Sequence, residues 1–245
     1  NAIGKPSSKL RFGRVHYTII SDIFLCPNCG YEINYWDAAV GNHSSKVADQ
    51  FHCFECDNQL NRNSVDRLWR NKFDNVLKEP VKCKAEDLVS VNFTANKKRS
   101  EKPSDIFDQA LSEKAEELLE EFDFPIVKLP NGVNTNQPKA INVNYVHQFY
   151  SARNLIVVSL FFRKAKKFKP LFLALTGVAV SVTKMYRWTP SYEGGGPLTG
   201  TLYIPSIIRD ISAIEALSRF IKKLPKVHQS KAFFNYGDEL TGVQS

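Results

Sequence analysis

Two Cys-x-x-Cys pairs constrain this chain more than any other feature. The first reads Cys26-Pro27-Asn28-Cys29-Gly30 and the second Cys53-Phe54-Glu55-Cys56. Each pair can close a tight turn that aims both sulfurs at one point, and four thiolates complete a tetrahedron around Zn²⁺. Gly30 suits a knuckle that needs positive φ just past its second cysteine. Two disulfides or four unrelated thiols are the bland alternative. A lone Cys-x-x-Cys also serves redox chemistry, but a second pair argues for metal. Four thiolates leave no open coordination position, so Cys26, Cys29, Cys53 and Cys56 are expected to hold structural zinc that does no chemistry. His43 and His52 lie within the segment but are not needed as ligands.

The residues around the pairs predict a zinc ribbon. A β-prone run over residues 15–20 leads to the first knuckle. Residues 31–36 alternate and read as a strand leaving it, and after a loop at 41–45 residues 46–52 enter the second knuckle. We therefore divide the chain into an entry segment (1–20), a zinc ribbon (21–78), a strand, basic loop and amphipathic helix (79–135), and a helical hairpin with a C-terminal strand and helix region (136–245). The fold class expected is α+β: a small four-cysteine zinc ribbon, then a mixed strand and helix region with a helical hairpin core. In the third part Val89, Val91 and Phe93 share one strand face. Ser104 is expected to cap a helix over 105–122 that buries Ile106, Phe107, Ala110, Leu111, Ala115, Leu118, Leu119 and Phe122. In the fourth, helices over 151–167 and 170–185 meet at Lys169-Pro170 and are expected to form the main core. A β-like run follows at 198–205, then a helix over 213–224 capped by Ser212. The tail, residues 233–245, carries no pattern.

The chain holds a net charge of +8 with a pI near 9.2, which favours anionic partners, nucleic acid first. Candidate DNA contacts are Arg62, Arg67 and Arg70 after the ribbon, the loop Lys97, Lys98, Arg99 and Lys102, and the helix end Lys164, Lys166, Lys167 and Lys169. The bland reading is a solvated basic face. No apolar run reaches the ~18 residues of a membrane span, and the polar residues 1–9 carry no signal-peptide pattern. Five cysteines, four in metal spacing, fit a reducing cytoplasm. The chain does not open on methionine, so we expect it to be part of a longer protein. Glycines 194–196 make no phosphate loop. Cys83 lacks the partners of a nucleophile. His147 reads as a packed or capping histidine. Tyr186, Arg187, Trp188 and Tyr192 read as a rim of the core, with base stacking as the alternative.

In order, CPNCG at Cys26, YEINYWDAAV at residues 31–40, FHCFEC at Phe51, VNYVHQFYSARNL at 143–155 and GTLYIPS at 200–206 resemble a family of bacterial DNA methyltransferases. These modify an exocyclic amine of adenine or cytosine with S-adenosylmethionine. In that family a Phe-x-Gly-x-Gly cofactor motif precedes the ribbon, and a catalytic Asp-Pro-Pro motif follows a region like the end of this chain. Neither motif is present, so no catalytic or cofactor residue is carried over and the chain alone is expected to be inactive. The resemblance implies the insert between the two motifs, where target recognition lies. Its partners would be duplex DNA and the catalytic remainder of the parent enzyme, which alone would bind S-adenosylmethionine. A structural or protein-interaction module with no DNA contact is the alternative.

Overall fold

The computed structural model describes residues 13–41, 46–167, 170–190, 195–198 and 200–228. In chain order come β1 (Arg14–Leu25), β2 (Glu32–Asn34), α1 (Tyr35–Ala39), β3 (Gln50–His52), β4 (Gln59–Asn61), β5 (Asp66–Arg67), β6 (Trp69–Asp74), β7 (Glu79–Lys84), β8 (Glu86–Ala95), β9 (Lys98–Pro103), α2 (Ile106–Leu118), α3 (Val133–Lys139), α4 (Ala152–Ala165), α5 (Pro170–Val178), β10 (Ile207–Ile211) and α6 (Ala213–His228). The chain mixes strand and helix as expected. His43, Lys169, Tyr192, Gly194 and the tail 233–245 lie outside the described residues.

β1 organises the molecule. It is rich in β-branched and aromatic residues, which suit a strand flanked on both sides. Its first two thirds lie between β10 and β8 in an antiparallel sheet ordered β10-β1-β8-β9, with Thr18 opposite both Asp210 and Val91. Its last residues pair instead with β2 and β5, with Phe24 opposite both Ile33 and Arg67. Irregularities at Val15/Tyr17 and Ile19/Ile20 interrupt the register with β8, the kind of insertion that bends a strand. The run expected over 15–20 is thus the middle of a longer strand that carries the sheet into the cysteine region.

The cysteine region has no core of its own. Phe24, Cys26, Ile33, Tyr35, Phe51, Cys53 and Leu60 belong to one buried cluster with Ala174, Leu175 and Val178 of α5 and Ala213, Ala216 and Leu217 of α6. α4 and α5 pair as expected, but they form one wall of this core. α5 ends at Val178, short of the expected 185. The hydroxyls of Ser181 and Thr183 donate to the carbonyls of Val178 and Val180 at 2.8 and 2.7 Å, a local competition that disfavours further helix. Gly177 lets α5 approach α6, because a Cβ there would stand 2.3 Å from the Phe220 ring.

Several expectations need correction. The strand over 31–36 stops at Asn34, whose side chain accepts from the Trp36 amide at 3.0 Å and starts α1. The cap of α2 is Asp105, not Ser104. Asp105 accepts from the amides of Phe107 and Asp108, and Asp108 returns a bond to the Asp105 amide, a reciprocal capping box. Ser104 donates instead to the Leu88 carbonyl. The expected apolar face of α2 is buried only at its end, where Leu119 is 5% exposed; Ile106, Phe107 and Leu111 are 76%, 73% and 71% exposed. No strand forms over 198–205 among the described residues; it lies at β10, whose Ile207, Ile208 and Ile211 are all buried. α6 begins where expected and runs on to His228.

A polar knot ties α4 to β10. Asn154, 0% exposed, places its amide nitrogen 2.9 Å from Asp210 Oδ1, 3.0 Å from the Val182 carbonyl and 2.7 Å from that of Ile211. Its oxygen accepts from the Ala213 amide at 2.9 Å. Arg153 donates to Asp210 Oδ2 at 2.7 Å and Ser151 to Oδ1 at 3.1 Å. Three residues of the FYSARNL segment thus fix the strand before α6. Ser206 of GTLYIPS accepts from Arg62 Nε at 3.0 Å, and its carbonyl accepts from the Asp22 amide.

Candidate metal centre

The two knuckles are built alike. In the first, the Cys26 amide donates to Tyr31 O and the Gly30 amide to Cys26 O; in the second, the Cys53 amide donates to Asn58 O and the Asp57 amide to Cys53 O. Gly30 has φ +74° and Asp57, in the matching position, φ +55°. The glycine is legible as a turn residue. Asp57 is not, although aspartate is among the few side chains that enter the left-handed region. Each knuckle sits on an antiparallel pair: β1 with β2, and β3 with β4.

This places all four sulfurs within 4.8 Å of one another. Cys26 and Cys56 Sγ are 3.7 Å apart, and Cys29 and Cys53 Sγ 3.6 Å. A disulfide needs ~2.05 Å. Zn–S bonds of ~2.3 Å in a tetrahedron give S···S edges of about 3.8 Å, so the residues fit a single zinc ion. Cys26 and Cys53 are 2% exposed. The Cys56 thiol is lowered to about 6 by the Asn28 side chain and the Asn58 amide. Cys29 feels the Tyr31 amide pulling it down, but desolvation and the other thiols push it up to about 12. A cation in the centre would supply the attraction that lets all four ionise together. His52 points away from the quartet, with Nδ1 3.1 Å from Asp57 Oδ1.

The basic candidates divide into two groups. Arg62 is half-buried over the Phe24 ring, 4.2 Å from its centroid. Arg67 lies 3.6 Å from Asp22, Arg70 pairs with Glu32 at 3.0 Å, and Lys102 is gripped by Asp105 and Asp108. Arg99 Nε donates to Asn92 at 2.8 Å. Lys97 and Lys98 occupy the exposed β8–β9 turn. Lys164, Lys166 and Lys167 are exposed around the end of α4, with Lys166 over the Phe162 ring. No acidic partner meets these five lysines among the described residues.

A cleft of about 1080 Å³ separates α2 from the sheet, with the β6–β7 hairpin and the start of α4 as its other walls. Its central charges are paired within the chain: Lys184 with Glu86, Arg153 with Asp210, His147 with Asp74, and Lys72 with Glu116. Cys83, on its wall, donates to Arg70 O, and burial pushes its thiol up. Trp188 is buried against Trp36, with ring centroids 4.7 Å apart, in keeping with a core rim. His147 is a packed histidine as expected, 7% exposed.

Burial alone would raise the carboxyl of Asp74. Bonds from His147, the Leu77 amide and Gln148 outweigh it and hold the group down at about 2. A depressed folded value contributes stability that is complete above the unfolded pKa of ~3.9 and is lost as pH falls towards ~2. Asp74→Asn should therefore narrow its stability gap to the wild type across that window. Urea midpoints of both zinc-loaded proteins, taken stepwise downward from pH 7 while the metal stays bound, measure the onset of that narrowing.

No helix among the described residues is long and apolar enough to cross a membrane. No protein-family model matches the chain, and neither does any curated protein or solved structure.

Proposed function

We propose that this chain is a non-catalytic DNA-recognition segment of an S-adenosylmethionine-dependent amino-group DNA methyltransferase, braced by a structural zinc ribbon and working in the cytoplasm. The observation that carries the reading is the uncompensated charge at Lys97, Lys98, Lys164, Lys166 and Lys167. The central charges of the cleft are paired within the chain, whereas these clustered, exposed lysines meet no acid among the described residues and suit an anionic partner. Arg62, Arg67, Arg70 and Lys102 have partners within the fold and are the weaker contacts.

Binding to duplex DNA should be weak, sequence-tolerant and strongly salt-dependent. Each phosphate contact contributes a slope of ~0.9 in log K against log salt, and four to six contacts correspond to roughly a hundredfold loss or more between 50 and 200 mM. Fluorescence anisotropy across a salt series reads this directly. Binding that is absent at low salt, or indifferent to it, would favour a protein-interaction module, for which the exposed Ile106, Phe107 and Leu111 of α2 are the supporting observation.

A further inference from the structure

The far end of β1 from the cysteines carries a cluster that the charge runs in the sequence do not reveal. Register places Arg14 opposite Thr94 and Thr94 opposite Arg99, with the Lys97–Lys98 turn just beyond. α6 brings Glu215 and Arg219 to the same place: Glu215 accepts from Arg14 Nε and lies 3.3 Å from His16 Nδ1. Arg14, Arg99 and Arg219 are all exposed, and all three act electrostatically on His16.

The three guanidiniums are held in the same way. Arg14 is tethered through Nε to the Glu215 carboxylate, Arg99 through Nε to Asn92 Oδ1 at 2.8 Å, and Arg219 through Nε to the Glu215 carbonyl at 3.3 Å. The terminal amino groups make no hydrogen bond among the described residues. A guanidinium fixed at Nε with its fork open is pre-organised for bidentate contact with a phosphate. Two carboxylates, Glu101, which accepts from Asn92 and Tyr17, and the buried Glu215, stand against three arginines and two lysines, so the site carries net positive charge.

We propose that Arg14, Arg99 and Arg219, extended by Lys97 and Lys98, form a cradle for the phosphodiester backbone of duplex DNA. This rests on the DNA-binding reading above and sharpens it. The cradle lies a full strand away from the cysteines, roughly 35 Å along β1 at ~3.3 Å per residue, so the zinc site braces the fold without touching DNA. His16 lies beneath the cradle between Thr94 Oγ1, 2.7 Å from Nε2, and Glu215. Burial and the repulsion of Arg99, Arg14 and Arg219 lower its pKa. A phosphate seated on those arginines relieves that repulsion, so binding should move the His16 midpoint upward.

The test uses the zinc-loaded chain and a duplex of arbitrary sequence. Arg99→Gln and Arg219→Gln should each weaken binding several-fold and lower the salt slope by about 0.9. Arg99→Lys, which keeps the charge and loses the fork, should weaken binding and keep the slope. Lys114→Gln, on the exposed side of α2 where Lys114 pairs with Glu117, should change neither. The His16 ring proton titration should shift upward with duplex and stay unmoved by inorganic phosphate at equal phosphate concentration. Wild-type binding that survives both glutamine variants unchanged overturns the cradle and leaves the DNA-binding reading standing. An equal His16 shift from inorganic phosphate overturns the backbone assignment. Absence of wild-type binding at low salt overturns both.

Discussion

Stripped of metal by a chelator, the chain should lose its cooperative fold as a whole. Elemental analysis of the untreated protein should find one zinc per chain, and Cys26→Ser should lower that content. The sequence alone suggests a ribbon, residues 21–60, that unfolds by itself and spares the helices. The packing argues otherwise. Phe24 and Ile33, both 0% exposed, share a cluster with α5 and α6, and the strand bearing Phe24 is also the central strand of the sheet. Structural zinc contributes on the order of 10 kcal/mol to the small domains it folds, comparable to the whole stability of an ordinary domain, ~5–15 kcal/mol. Cys26 and Cys53 lie in that core, 3.7 and 3.6 Å from the sulfurs of Cys56 and Cys29, and four thiols this close resist ionising together without the cation. Trp36 of α1 and Trp188 of the body, in edge contact at 4.7 Å, report whether the two parts stay together. Tryptophan emission and helical circular dichroism should therefore be lost in a single step as chelator is added. Helices that persist after the tryptophan signal has gone would show that the ribbon is separable, and this expectation would be wrong.

The parts of the fold that were legible are those with a local cause. The cysteine quartet follows from spacing and turn geometry. α4 and the start of α6 follow from their apolar periodicity, and the core-rim reading of Trp188 from composition. What stayed hidden was non-local. Residues 14–25 look like a short strand because nothing in them announces four strand partners. α2 has a regular apolar stripe, yet Ile106 and Phe107 are exposed and Leu111 lines a cleft between the helix and the sheet. The charge runs were incomplete in the same way. Compactness in sequence drew attention to residues 97–102, where Lys102 is held by the cap of α2. Arg14 and Arg219, 205 positions apart in the numbering, meet only through the pairing of β1 with β10 and the turn into α6.

Asp210→Ala should be the most damaging single substitution outside the cysteines. Asp210 is 2% exposed and takes bonds from Ser151, Arg153 and Asn154. Removing the carboxylate leaves a cation and an amide with lost acceptors, and breaking a buried charge pair from one side costs about 3–5 kcal/mol. Arg153→Ala should cost less, because its side chain is 36% exposed and Asp210 keeps its bonds from Ser151 and Asn154. Asn154→Leu should approach the Asp210 loss. It removes the acceptor for the Ala213 amide at the start of α6 and the donor to three oxygens at once, each buried orphan costing ~1–3 kcal/mol. The three variants should therefore rank Asp210→Ala, Asn154→Leu, Arg153→Ala in urea unfolding of zinc-saturated protein. The double variant of Asp210 and Asn154 should lose much less than the sum, because both changes break the same bonds. Losses below ~1 kcal/mol for Asp210→Ala, or strict additivity in the pair, would mean that the knot does not hold α4 to β10.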